Sequence, residues 1–123
     1  MSYFAKPLHV VYIEFKDVVN AAEFEQWLAE VERLIQLQQN FYLIMHTRLN
    51  TTFPENYRQT QAFWYKKYKA SFFQYCEGLI RIAQDLEDLK RLNTPALHDA
   101  WQVPYYVSLD KTDAMNWIQK RWL

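Results

Sequence analysis

Short apolar runs rich in β-branched and aromatic residues alternate along this chain with longer stretches whose apolar residues recur every three or four positions. This alternation constrains the fold most, because a strand, a helix and a further strand need a crossover, and crossovers build parallel sheets. Residues 8–15, LHVVYIEF, read as a strand closed by Lys16 and Asp17. Tyr3 and Phe4 read as a short edge strand broken by Pro7. Asn20, with Glu23 three residues on, predicts a capped helix start. Phe24, Trp27, Leu28, Val31, Leu34 and Ile35 then mark one face of a helix of about five turns.

The run FYLIMHTR, residues 41–48, has almost no polar break and predicts a strand covered on both faces. Thr52 and Glu55, with Pro54 in the first turn, predict a second capped helix reaching about Cys76. Gly78 is expected at that helix's end in a left-handed conformation. LIRIA, 79–83, reads as a strand, and 85–101 as a helical region interrupted by Pro95. VPYYVSL, 103–109, reads as the last strand, with Asp110 or Thr112 capping a final helix. The expectation is one α/β domain over residues 1–123: a mixed, mostly parallel sheet of four to five strands with helices.

Composition narrows the function. Lys plus Arg and Asp plus Glu both number 14, so no basic excess points to nucleic acid or to an anionic membrane surface. No apolar stretch approaches the roughly 20 residues that span a bilayer. The single cysteine, Cys76, fits a reducing compartment, and a cytoplasmic protein is expected. One glycine stands where average usage gives about nine, so glycine-rich phosphate loops are not expected. The chain holds 8 Phe, 9 Tyr and 5 Trp. So small a core cannot hide them all, and some are expected at a surface that meets a partner.

Four segments carry a resemblance: VVYIEFKDVVNAAEFEQWLAEVERLI, NFYLIMHTR, RQTQAFWYKKYKASFFQYCEGLIRIA and VPYYVSLDKTDAMNWIQ. Within them stand an Arg-x5-Trp helix, a Tyr-Cys-x-Gly helix exit, and a Pro-Tyr strand followed by Asp-x3-Ala-x2-Trp. The chain resembles bacterial STAS-like domains, which are similar to anti-sigma-factor antagonists and largely without an assigned role. The better-known members bind partner proteins, and phosphorylation of a Ser or Thr after a central strand ends that binding. The resemblance therefore implies Thr51 and Thr52 as phospho-acceptor positions. The Asp-Ser-Ser/Thr-Gly run of the typical switch site is absent here.

Between Arg58 and Lys69, aromatic residues interleave with lysines. Phe63, Lys66, Lys67 and Phe73 fall to one side of the second helix and are expected to form a partner-binding surface. The charge balance favours a protein over single-stranded nucleic acid as the occupant. None of His9, His46 and His98 has a second ligand type at metal-site spacing, and no metal or cofactor is expected. Cys76, near a helix C-terminus, reads as a buried structural thiol. The sequence thus points to a non-enzymatic regulatory domain that docks a protein partner or forms a homodimer. The alternative is a small-ligand carrier or sensor with an aromatic-lined pocket.

Overall fold

A computed structural model describes residues 9–48 and 50–122. The elements run β1 (His9–Phe15), α1 (Ala21–Gln36), β2 (Phe41–Thr47), α2 (Tyr57–Tyr75), β3 (Cys76–Ile82), α3 (Leu86–Leu92), α4 (Pro95–Ala100), β4 (Tyr105–Ser108) and α5 (Lys111–Trp122). The sheet order is β1-β2-β3-β4, and each of these neighbouring pairs is parallel. The sheet described is thus wholly parallel rather than mixed. The reason is that every connection carries a helix, which returns the chain to the same end of the sheet. The suggested edge strand at Tyr3 and Phe4 lies outside the described residues.

Strand order that steps in one direction stacks successive crossover helices on one side. Phe24, Trp27, Leu28 and Val31 of α1, Phe72 of α2 and Leu92 of α3 pack with Phe41, Leu43, Met45, Leu79 and Val107 of the sheet. The opposite face, with Tyr42, Ile44, Ile80 and Ile82, receives Ala114 and Ile118 of α5. Every residue of β2 from Phe41 to His46 is buried, as a strand sandwiched between two layers requires.

Helix α1 is bounded by side-chain and backbone signals. Asn20 accepts from the Glu23 amide at 2.8 Å, and Glu23 accepts from the Asn20 amide at 3.2 Å, completing a capping box. At the other end Gln38 takes a positive φ of 56°. The Gln38 and Gln39 amides donate to Ile35 and Leu34 carbonyls, both at 3.0 Å, closing a Schellman motif without glycine.

Several expectations need correction. Thr52 does not cap α2. Its backbone is engaged in a short parallel bridge to Val18, with its amide on Asp17 O at 2.8 Å and its carbonyl accepting from Val19 N at 2.9 Å. Phe53 is pinned among Phe15, Phe24 and Tyr57, which delays the helix until Tyr57, after Asn56. Gly78 does not end a helix, because α2 passes directly into β3 at Cys76. Gly78 is needed for a close approach instead: a Cβ there would lie 2.9 Å from the Trp117 ring and 3.0 Å from the Tyr42 ring. The 85–101 region divides into two short helices, with Pro95 at the start of α4 and Thr94 as its cap. Asp110, and not Thr112, caps α5, accepting from the Asp113 amide at 2.7 Å.

Candidate functional site

Helix α2, of 19 residues, is the longest helix among the described residues. It holds Arg58, Lys66, Lys67 and Lys69 and no acidic residue. Among its side chains only Phe72 is buried. Helical spacing puts Phe63 opposite Phe72, between Lys66 and Lys67. Phe63 is 76% exposed, and both lysines are exposed beside it. Phe73 sits differently. It is half-buried on the flank, its ring against Tyr65 and Phe72 and the Lys69 ammonium 5.7 Å from its centroid. The four residues expected as one surface therefore comprise an exposed trio and a flanking, partly packed ring.

The basic helix lies beside an acidic one. Helix α1 carries four glutamates against a single arginine, and the Tyr68 hydroxyl of α2 donates to the Glu32 carboxylate of α1. A chain of zero net charge is thus segregated into cationic and anionic helices on one side. Composition alone hides this, because the opposing signs cancel.

Thr51 and Thr52 follow β2 at the carboxyl end of the sheet. The Thr51 hydroxyl is occupied, donating to Arg48 O at 2.6 Å and lying 3.1 Å from Phe15 O. Thr52 is exposed. Close by, Arg48 pairs with Glu14 at 2.9 Å, which holds the Glu14 carboxyl below its ordinary range. Tyr12 Oη lies 3.3 Å from His46 Nδ1, and the Lys111 ammonium is 4.2 Å from the Tyr12 ring centroid. Burial, with Arg48 adding to it, pushes the His46 imidazole below its usual value. Asp113 accepts from Tyr106 at 2.7 Å and Ser108 at 2.8 Å. Carboxyl ends of parallel strands are where open α/β sheets place their sites. Here Glu14 and Asp113 are each held by a partner.

Cys76 is buried, its Sγ 3.4 Å from Gly78 O, and burial pushes the thiol up to about 12. A thiol so placed packs as a small apolar group. His9 meets Gln39 at 3.1 Å and His98 meets Asn93 at 2.6 Å. Among the described residues no group of three or more His, Cys, Asp or Glu is placed to hold a metal ion. Likewise no described helix is long and apolar enough to cross a membrane.

Two hollows lie beneath and beside α2, and sequence reasoning did not locate them. One is an inner chamber of about 30 Å³ against Trp27 and Trp64. The other is an open groove of about 360 Å³ between α2 and α4. The crowd of rings was legible, but which of them enclose space depends on how α2 meets α4. Comparison with family models, with curated proteins and with solved structures yields no match.

Proposed function

We propose that this chain is a non-enzymatic regulatory domain that docks an acidic protein surface through the outer side of α2. The observation that carries the reading is Phe63, exposed between two lysines on a helix that has cations and no acid. An aromatic ring offers large contact area at small entropic cost, and a ring of surrounding charges selects the partner by complementarity. The STAS-like resemblance, whose better-known members bind proteins, supports the same reading. It also makes Thr52, the exposed hydroxyl of the pair, the position at which a phosphate would act on binding. A symmetric contact through α2 would set like charges against each other, so an acidic partner is favoured over a second copy.

The test is quantitative affinity capture from the native cell, using the full chain. A protein enriched on the wild type, lost with Phe63→Ser/Lys67→Glu and retained with the α1 surface change Glu25→Lys supports the reading. Its release at raised salt fits a charge-steered contact. Identical enrichment on all three chains removes the proposal, and a dimer seen by light scattering would replace the acidic partner with a second copy.

A further inference from the structure

Strand β1 forms one edge of the sheet, since among the described residues it pairs with β2 alone. It has seven residues and no proline, whereas the opposite edge strand, β4, has four residues. Short edges resist further pairing, and longer ones without proline stay open to it. The Phe15 carbonyl turns toward β2, where it accepts from the Arg48 amide at 2.8 Å. Backbone groups alternate direction along a strand, so the N–H and C=O of Tyr12 and Glu14 turn outward. No backbone hydrogen bond from another described segment meets them.

An open hollow of about 430 Å³ runs along this edge, lined by the five consecutive residues from Tyr12 to Lys16. Successive strand side chains point to opposite faces, so a hollow that touches all five lies at the strand's rim. Its far wall is one stripe of α1, with Glu23, Gln26, Trp27 and Glu30 at helical spacing. Glu23 and Glu30 are exposed there. Glu14 is held by Arg48, while Glu30 meets Arg33 at 3.4 Å with both side chains more than half exposed. The negative charge of the stripe is thus open to an incoming cation. On the other face of β1 the Lys111 ammonium lies 4.2 Å from the Tyr12 ring centroid, and it would repel a cation arriving there. The two faces of an added strand are thereby told apart: basic toward α1, uncharged toward Lys111.

We propose that the free edge of β1 takes up an extended segment of another protein as an added strand, with lysine or arginine at alternate positions facing α1. Main-chain bonds to Tyr12 and Glu14 supply the pairing, and Glu23 and Glu30 select the basic face. These two carboxylates stand about 10 Å apart along α1, and cations on every second residue of a strand recur about every 7 Å. The flexible lysine stem bridges that difference. A second copy of this chain fits less well, because antiparallel pairing of two β1 edges sets two acidic stripes side by side. The edge uses no residue of α2 and is independent of the Phe63 docking surface.

The experiment is an NMR titration of the full chain that reads amide shifts and amide hydrogen exchange. The probe is the acetylated, amidated peptide Lys-Val-Lys-Thr-Lys-Val-Lys. Fast exchange is expected at the Tyr12 and Glu14 amides of the free chain, slowing by about tenfold or more at saturation. The Val11 and Ile13 amides, turned to β2, change little. Two further peptides are N-methylated, one on the lysines and the other on the intervening residues. One of them loses binding and the other keeps it, because only alternate peptide amides face β1. The glutamate counterpart Glu-Val-Glu-Thr-Glu-Val-Glu does not bind, and Glu30→Gln weakens the lysine peptide about threefold, as befits an exposed ion pair. Slow exchange of Tyr12 and Glu14 in the free chain, equal binding by both N-methylated forms, or equal binding by the glutamate peptide would each overturn the proposal.

Discussion

Helices α1 and α2 pack side by side on one face of the sheet, yet they are built on opposite principles. In 16 residues α1 buries six side chains, carries a capping box and closes in a Schellman motif. In 19 residues α2 buries one, has no side-chain cap at its start and no basic residue in its last turn. Each fully buried side chain of the α1 stripe contributes about 1.5–3 kcal/mol. On α2, comparable rings lie half-exposed around the helix and Phe63 faces outward. The contrast teaches that α1 is written for folding, whereas α2 keeps rings and cations where another molecule can reach them.

The largest effect that would sharpen this contrast comes from the α1 core. Phe24→Ala should cost about 3–5 kcal/mol, read as a lowered urea midpoint, since Phe24 meets Phe15, Trp27 and Tyr57 rings. A loss under about 1 kcal/mol would mean the stripe is poorly packed. Next come the helix starts. Asn20→Ala should cost about 1 kcal/mol, because it removes the capping box, while Asn56→Ala should be close to neutral, because no cap bond exists there. Equal losses at both positions would break the comparison. At the far end of α1, Gln38→Gly should raise stability by about 0.5–1 kcal/mol, as glycine adopts the left-handed turn without strain. Smallest of all, Phe63→Ala should leave the midpoint within about 0.5 kcal/mol of wild type. A larger drop would place Phe63 in the structure's own packing and remove it from the docking surface.

The two helices also differ in how far the sequence disclosed them. The α1 cap, stripe and length were readable because local chemistry and tertiary packing agree at Asn20, Glu23 and the buried positions. The mostly apolar β2 run announced a strand covered on both sides for the same reason. The start of α2 was misread because Thr52 satisfies a local capping pattern, while its backbone is hydrogen-bonded to Asp17 and Val19 of a distant loop. Gly78 was misread because its role is set by Trp117, nearly 40 residues away in the chain, and not by neighbours. The exposed side of α2 followed from helical spacing, since period alone separates Phe63 from Phe72. The chamber did not, since which rings enclose space depends on how every surrounding element packs.

Native-state hydrogen exchange tests the division of labour between the two helices most directly. If the account holds, amides of α1 near Val31 and Leu34 open only with global unfolding. Amides around Phe63 and Lys67 then open at distinctly lower free energy. Protection of the Phe63 turn equal to or above that of Val31 would contradict it, because α2 would then be held as firmly as the helix written for the core.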